Sequence, residues 1–268
     1  MNITIGKPFA ISERGNRLNN EDFIYPSPEA VTTDQRLFLV CDGVGGADKG
    51  EIASALACDH FQTYFSTMLG KEEPTADFIQ KAIQYTEAHF DTYLEAHPEA
   101  TGMATTLTML YIGTEGITLA HVGDSRIYHF RNGNILYQTE DHSLVNSWVK
   151  LGQITPEQAV NHPQKNVILR AIQGSAHHTE ADVALIQDLQ PGDYFFLCTD
   201  GIMENFSNEA LSAVFQRQLS PEITKDVLME SCDGKTRDNF SFYIIPIQNV
   251  QDSPGYKQNL LSFFYSFI

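Results

Sequence analysis

The sequence lacks three features that would point to particular classes of protein. No apolar stretch in its 268 residues approaches the roughly 20 residues of a membrane-spanning helix, so we expect no membrane span. Lys and Arg number 17 against 34 Asp and Glu, and the net charge of −17 would repel a phosphate backbone, which argues against nucleic acid as a partner. The four cysteines include no close Cys-x-x-Cys pair, which argues against zinc bound through cysteine.

The few cysteines and the absence of a secretory signal at the N-terminus indicate a reducing compartment. Most of the cysteines lie in apolar or helical stretches, so we predict reduced and mostly buried thiols. They are Cys41, Cys58, Cys198 and Cys232. The expected location is the cytoplasm.

The chain also lacks a linker rich in proline, glycine or serine, which favours a single domain. We place this domain at residues 1–247 and treat residues 248–268 as a C-terminal extension. The extension ends in an apolar segment, residues 260–268, that is too short to span a bilayer. We expect this segment to pack on its own domain, and a partner surface is the alternative.

Apolar runs bounded by turn residues predict strands, and amphipathic periodicity predicts helices. The predicted strands are residues 37–41, 105–112, 117–122, 127–130, 135–138, 194–198 and 240–247. Several of them follow closely on one another, with Asn132-Gly133 as a tight hairpin, which predicts antiparallel sheets. Long helices are predicted for residues 51–69 and 76–96, and shorter ones begin at Thr155-Pro156 and Ser220-Pro221. These elements indicate sheets covered by helices.

Two of the predicted strands end on an aspartate that is followed by glycine. Asp42 follows the apolar run 38–41, and Asp200 follows the similar run 195–198 after one threonine. Either Asp-Gly pair alone would be interpreted as a hairpin turn. Together, two carboxylates fixed at the ends of buried strands could point at one hard divalent cation.

Six acidic residues stand at predicted strand edges or in glycine-rich turns, scattered along most of the chain. They are Glu21, Asp22, Asp42, Asp124, Asp200 and Asp238. Only a folded scaffold could bring them together, and ligand sets made only of oxygen suit Mg²⁺ or Mn²⁺. Composition and spacing alone support no more than the general hypothesis of a hydrolase that uses hard metals.

A series of short motifs makes the hypothesis specific. In order, they are Arg17-Leu18-Asn19-Asn20-Glu21-Asp22, Asp42-Gly43-Val44-Gly45-Gly46, Ala104-Thr105-Thr106, Gly123-Asp124-Ser125-Arg126, Asp141-His142-Ser143, His162-Pro163 with Asn166 and Arg170, Cys198-Thr199-Asp200-Gly201, and Asp238-Asn239. In this order the chain resembles the PPM family of metal-dependent protein serine/threonine phosphatases, type 2C, and its compact bacterial members in particular. The resemblance implies an α+β fold, a four-layer αββα sandwich of two antiparallel sheets flanked by helices.

The resemblance also implies a role for each matched residue. Asp42 matches the carboxylate that bridges two core ions of Mn²⁺ or Mg²⁺. The other matched metal ligands are Glu21 and the carbonyl of Gly43 for one ion, Asp200 and Asp238 for the second, and Asp124 for a weaker third ion that shares Asp200. Asp22 resembles an acid that orients metal-bound water, and Arg17 matches the arginine that binds the substrate phosphate.

The activity implied by the resemblance is hydrolysis of phosphoserine and phosphothreonine on proteins, the products of a serine/threonine kinase. A metal-activated water would attack phosphorus directly, and no Cys-x₅-Arg loop of the cysteine phosphatases is present. Two alternatives are a binding module that keeps only the fold and a metal nuclease. The complete set of acids argues against the first, and the charge of −17 argues against the second.

The sequence departs from the family pattern at three places. Val44 replaces a histidine that many members have after the first Asp-Gly, which leaves the general acid open. Ala104 replaces the usual glycine, and residues 170–174 form a motif one residue longer than usual. The longer motif follows residues 143–166, the counterpart of a mobile flap, so we expect flap position and substrate choice to differ from those of relatives.

Several residues in or near these motifs have simpler structural interpretations. We expect Arg126 to be a structural ion-pair partner, Asp141 to cap the following helix, and His177-His178 to lie in a solvated loop. His142 is equally compatible with a turn and with a catalytic role.

Overall fold

The computed structural model describes residues 1–44, 49–70 and 74–251. The described residues form twelve strands. They are β1 (Asn2–Ile5), β2 (Phe9–Glu13), β3 (Asp22–Tyr25), β4 (Leu37–Val44), β5 (Ala104–Thr105), β6 (Leu107–Ile112), β7 (Ile117–Val122), β8 (Arg126–Arg131), β9 (Asn134–Gln138), β10 (Asp182–Ile186), β11 (Tyr194–Cys198) and β12 (Phe240–Gln251). The α-helices of the same residues are α1 (Lys49–Met68), α2 (Ala76–Ala96), α3 (Leu144–Lys150), α4 (Pro156–Val160), α5 (Asn208–Gln216) and α6 (Pro221–Cys232).

The strands form two six-stranded sheets in which neighbours are antiparallel. The first sheet has the order β1-β12-β11-β8-β9, with β2 also paired to β12. The second has the order β10-β7-β6-β4-β3, with β5 also paired to β4. The predicted antiparallel α+β fold is therefore confirmed.

The alternation of side chains along the strands produces four layers. Phe38 and Val40 of β4 face the core between the two sheets, together with Phe195 and Leu197 of β11. The intervening residues point outward, where those of the second sheet pack against α1 and α2 and those of the first against α5 and α6. Because both faces of the central strands are buried, these strands appear in the sequence as continuous apolar runs.

Each strand predicted from an apolar run is present, with ends shifted by a few residues in most cases. The structure splits the predicted strand 105–112 into β5 and β6 and extends the last strand to Gln251, which is paired with Asn2. Sequence reasoning missed β1, β2, β3 and β10, which are only four or five residues long. The apolar segment at 260–268 lies outside the described residues.

Local features of the helices agree with their sequence signals. The capping box at Thr155 is present: the Gln158 amide donates to Thr155 Oγ1 at 3.3 Å, and the Thr155 amide donates to Gln158 Oε1 at 2.8 Å. All four cysteines are buried and unpaired, as predicted. Among the described residues, no helix has both the length and the apolar character needed to cross a bilayer.

Candidate metal centre

Asp42 lies near the end of β4 and is fixed through its backbone. Its amide donates to Thr106 Oγ1 at 2.9 Å, and its carbonyl accepts bonds from the Thr106 amide and from Thr105 Oγ1, each at 2.9 Å. The two threonines belong to the Ala104-Thr105-Thr106 motif, and these hydrogen bonds give that motif a structural role. They hold the strand end that carries the Asp42 carboxylate.

Asp22 begins β3 and lies directly opposite Asp42 in the strand register. Its side chain is buried, and Oδ2 accepts a hydrogen bond from Thr199 Oγ1 at 2.9 Å. Its Oδ1 is buried and has no hydrogen-bond partner among the described residues. An unpartnered buried carboxylate oxygen is costly, and a bound cation or its water would compensate for it.

Asp200 and Asp238 reach the same region from the first sheet. Asp200 follows β11, and the backbone before it is held to β12 because the Thr199 amide donates to the Ser241 carbonyl at 3.0 Å. Asp238 precedes β12, and its Oδ2 accepts a bond from Arg17 Nη2 at 2.7 Å. The Arg17 side chain is half exposed, so its guanidinium lies at the open side of the carboxylate cluster.

Glu21 and Gly43 are adjacent because their backbones are bonded. The Gly43 amide donates to the Glu21 carbonyl at 3.0 Å, and the Glu21 amide donates to Asn239 Oδ1 at 2.9 Å. Gly50, at the start of α1, packs against this pair. A Cβ on Gly50 would lie 2.7 Å from the Gly43 carbonyl oxygen and 2.9 Å from the Glu21 carboxyl carbon. Gly50 could not be identified from the sequence, because its lack of a side chain matters only through its contact with Gly43 and Glu21 in the folded chain.

Asp124 lies in the turn between β7 and β8, beside the same threonine that holds Asp42. Gly123 has φ of +99°, and a Cβ there would lie 2.6 Å from Thr106 Cγ2. Thr106 Oγ1 is also 2.8 Å from Ser125 Oγ. Thr106 therefore couples the Asp124 turn to the end of β4.

The electrostatics of the cluster disfavour several ionised carboxylates that have no compensating positive charge. Burial, with repulsion from neighbouring carboxylates, raises the pKa of Asp22 and of Asp124 to about 8 and that of Asp200 to about 6. Burial also raises the pKa of Asp42 well above its ordinary value, and Asp22 is the largest of the charges that add to this rise. An oxygen-only set of mutually repelling acids with an unpartnered oxygen fits hard divalent cations such as Mn²⁺ or Mg²⁺.

The neighbouring residues of the Asp124 turn have structural roles, one of which differs from prediction. Arg126 Nε and Nη2 donate to the two oxygens of Asp141, each at 2.7 Å, which confirms Arg126 as an ion-pair partner. The prediction that Asp141 caps α3 is wrong, because its carboxylate is bound by Arg126. The cap is Ser143, whose Oγ accepts a bond from the Asn146 amide at 3.3 Å.

His177 and His178 are both exposed, as expected of a solvated loop, and His178 also contacts the outer helical layer. His178 Nδ1 lies 2.6 Å from Oε2 of Glu87, a carboxylate buried in α2. The same carboxylate accepts a bond from the Thr179 amide at 2.9 Å. These contacts fasten the segment after the flap to the outer helical layer.

The flap counterpart, residues 143–166, contains α3 and α4 and is closed at its base. The Leu144 amide donates to the Val167 carbonyl at 2.8 Å, and the Leu169 amide donates to the His142 carbonyl at 2.7 Å. Leu151 and Val160 of this segment are largely exposed.

Two antiparallel sheets with helices outside carry a cluster of carboxylates where the strand ends meet, and such oxygen-only sets suit hard divalent cations. The sequence model of the family described as protein phosphatase 2C matches residues 12–231. The chain belongs to the protein phosphatase 2C family, and the resemblance seen in the motifs is confirmed.

Individual relatives and a solved structure agree with this assignment. The serine/threonine protein phosphatase PstP of Mycobacterium tuberculosis is 34% identical over 242 residues, which are 89% of this chain and 44% of that protein. This chain thus spans less than half of PstP. The serine/threonine phosphatase stp of Listeria monocytogenes is 35% identical over 203 residues, 75% of this chain and 80% of that protein. The crystal structure of the PstP catalytic domain with two manganese ions has a TM-score of 0.74, with 29% identity, covering 92% of this chain and 100% of that one.

Proposed function

We propose that this chain is a metal-dependent protein serine/threonine phosphatase, which hydrolyses phosphoserine and phosphothreonine on proteins. The observation that carries the proposal is the carboxylate cluster at the strand ends. Asp42 is flanked there by Asp22, Asp124, Asp200 and Asp238, each of which contributes to the rise of its pKa. Mutual repulsion of this kind is maintained in a fold when bound cations compensate for it.

The metal ligands in this proposal are those implied by the family resemblance. Asp42 would bridge two core ions of Mn²⁺ or Mg²⁺. The remaining ligands would be Glu21, the Gly43 carbonyl, Asp200 and Asp238 for the core ions, with Asp124 holding a weaker third ion. When bound, these ions would supply a water of lowered pKa for direct attack on phosphorus and would neutralise the phosphate charge. The two manganese ions of the PstP structure support the number of core ions.

The chain's own side chains would then position the substrate and the water. Arg17 is half exposed beside Asp238 and can turn its planar guanidinium toward a phosphate. Asp22 has one carboxylate oxygen that no group of the described residues hydrogen-bonds, and that oxygen could orient a water. Val44 is partly exposed where many relatives have a histidine, so this side chain cannot donate a proton to the leaving group.

The proposed substrates are phosphoproteins made by a serine/threonine kinase, and the proposed location is the cytoplasm. The names of the relatives as serine/threonine phosphatases support the substrate class. The four unpaired, buried cysteines are consistent with a reducing compartment.

A comparison of phosphopeptides tests the proposal. Matched peptides with phosphothreonine or phosphotyrosine at one position would be incubated with Mn²⁺, with Mg²⁺ and with chelator. We expect phosphate release from phosphothreonine with either metal, little release from phosphotyrosine, and none in chelator. Equal release from both peptides would contradict the proposed specificity, and release in chelator after removal of residual metal would contradict the proposed chemistry.

A further inference from the structure

His142 is hydrogen-bonded to Gly123, the residue that precedes Asp124. Its amide donates to the Gly123 carbonyl at 2.9 Å, and the Gly123 amide donates to its Nδ1 at 3.1 Å. Gly123 is thus held from both sides by a single residue. Because Gly123 and Asp124 share one peptide group, these two bonds constrain the direction in which the Asp124 side chain leaves the backbone.

The ring of His142 also extends the contact to the base of the flap. Its Nε2 lies 3.3 Å from Asp182 Oδ2, and Arg170 Nη1 donates to Asp182 Oδ1 at 2.8 Å. The His142 carbonyl accepts the bond from the Leu169 amide that closes the flap. One residue therefore joins the Asp124 turn, the closed end of residues 143–166 and strand β10.

The hydrogen bonds determine the state of the ring. Nδ1 accepts a bond from the Gly123 amide, so it carries no proton, and the proton of the neutral ring lies on Nε2, facing Asp182. Arg170 Nη1 also lies 3.3 Å from Nε2, but a guanidinium can only donate, so its hydrogen bond goes to Asp182 Oδ1. His121 stacks on the ring with centroids 4.4 Å apart, and its Nε2 lies 2.9 Å from the Glu140 carbonyl oxygen, which can only accept a hydrogen bond. Burial, with the adjacent His121, lowers the pKa of His142, in agreement with a neutral ring.

The same hydrogen bonds argue against a metal site at this cluster. Ligand atoms of His121, His142 and Asp182 lie within 4.8 Å of one another, a spacing that a cation could use. However, the proton on His142 Nε2 occupies the position from which a metal would be bound. Arg170 already neutralises Asp182. The cluster is therefore better explained as a hydrogen-bonded clamp than as a second metal centre.

We propose that His142 is a positioning residue for Asp124, which it aims through its two hydrogen bonds to Gly123. The inference rests on the proposed function, in which Asp124 is the outer ligand of a weak third ion. It gives the Asp141-His142-Ser143 motif a role in holding that ion and ties the third site to the base of the flap.

Two amide substitutions separate the contacts of the ring. In His142→Asn, the side-chain oxygen falls near the position of Nδ1 and can still accept the Gly123 bond. In His142→Gln, the amide reaches the position of Nε2, and the Gly123 amide loses its partner. We therefore expect His142→Gln to weaken third-site binding about five- to tenfold, the size of one hydrogen bond from a buried donor, and His142→Asn to remain near the native value.

The experiment combines Mn²⁺ binding with kinetics. Free Mn²⁺ would be measured by electron paramagnetic resonance during titration of the full chain, and kcat on an aryl phosphate would be measured against Mn²⁺ concentration. In His142→Gln we expect the tight class of sites to keep its stoichiometry and the weak class to lose affinity, with kcat recovering at high Mn²⁺. His97→Gln, an exposed histidine after α2, is the matched control and should match the native protein.

A double-mutant comparison distinguishes positioning from general damage. In the Asp124→Ala background, His142→Gln should cause no further loss of weak binding or kcat, because the carboxylate that it aims is absent. An equal loss in both backgrounds, native weak binding in His142→Gln, or a His142→Asn variant as impaired as His142→Gln would each overturn the inference. If Asp124→Ala itself keeps native weak binding and turnover, the proposed third site fails and the inference fails with it. If Asp124→Ala is impaired but His142→Gln is not, only the proposed role of His142 is overturned.

Discussion

Asp22 and Asp42 lie directly opposite each other on the adjacent antiparallel strands β3 and β4. Like charges at such a position repel each other, and both side chains are removed from most of the solvent. The strand pairing that builds the second sheet therefore also creates a site whose charge needs a counterion. This relationship links the stability of the fold to the metal and leads to a prediction about pH.

The stability of the metal-free protein should fall as pH rises from about 5 to 8. The carboxyls of Asp22, Asp124 and Asp200 have pKa values of about 8, 8 and 6 in the folded chain, against about 3.9 when unfolded. Between these values the folded state binds more protons, so deprotonation favours unfolding. Mn²⁺ bound at the proposed site would replace these protons and remove the penalty.

Calorimetry at several pH values checks this prediction. We expect the gap in Tm between Mn²⁺-loaded and chelated protein to widen from pH 5.5 to pH 8. The Asp42→Asn variant in chelator should show a weaker fall with pH, because it has one repelling group fewer. A gap that is the same at both pH values would contradict the charge assignment.

Loss of Arg17 should impair phosphate binding more than folding. Its guanidinium is half exposed and contacts Asp238, so Arg17→Ala removes a charge-assisted donor without opening the core. Such a bond contributes about 1.5–3 kcal/mol, and we expect kcat/KM on an aryl phosphate to fall roughly ten- to a hundredfold, mainly through KM. Arg17→Lys should restore only part, since an ammonium cannot present a planar fork. Unchanged kinetics in Arg17→Ala would leave Arg17 with a structural role only.

Thr106 should matter for activity beyond its contribution to stability. Its Oγ1 accepts the Asp42 amide bond and contacts Ser125 beside Asp124. Thr106→Val would leave a buried amide unsatisfied at a cost of about 1–3 kcal/mol and would release both ligand-bearing segments. The matched control is Thr108→Val, which loses a buried bond to the Val40 carbonyl away from the acids.

Urea unfolding and steady-state kinetics on these two variants check the prediction. We expect both to be destabilised and only Thr106→Val to lose turnover by tenfold or more at saturating Mn²⁺. Equal turnover in the two variants would show that Thr106 does not position the ligands.

Gly50 should be intolerant of a methyl group. The added Cβ would press on the Gly43 carbonyl and on Glu21, both of them proposed ligands of the same ion. Gly50→Ala should cost about 1–3 kcal/mol through overpacking and should weaken binding of a core ion. Gly113→Ala is the control, because its nearest contact would be 3.4 Å. Native core-metal affinity in Gly50→Ala, measured by titration calorimetry, would contradict this account of the turn.

The parts of the fold that sequence predicted well are those whose signal is local. Strand β11 is buried on both faces, so it appears as an uninterrupted apolar run, and helix α2 has a clear amphipathic period over its whole length. Strand β3 was missed because its four residues carry no such signal, and its existence depends on pairing with β4. Short edge elements of this kind are specified by tertiary contacts more than by propensity.

The candidate site was predictable to a different degree. The ligand set could be named only because the motifs resemble a family, since nothing in spacing alone brings Asp22 and Asp200 together. The structure adds what motifs cannot contain: the pairing of Asp22 with Asp42, the fit of Gly50 against Gly43, and the bonds of His142 to Gly123. These depend on approaches between segments far apart in the chain.

The central claim is that a carboxylate cluster that includes Asp42 holds the metal ions needed to hydrolyse phosphothreonine. The most direct test is the initial rate of phosphate release from a phosphothreonine peptide by the native chain and by Asp42→Asn, each with saturating Mn²⁺ and with chelator. We predict turnover only for the native chain with Mn²⁺, and a loss of at least a thousandfold in Asp42→Asn although the variant remains folded. Near-native turnover by Asp42→Asn at saturating Mn²⁺, or by the native chain in chelator, would contradict the account.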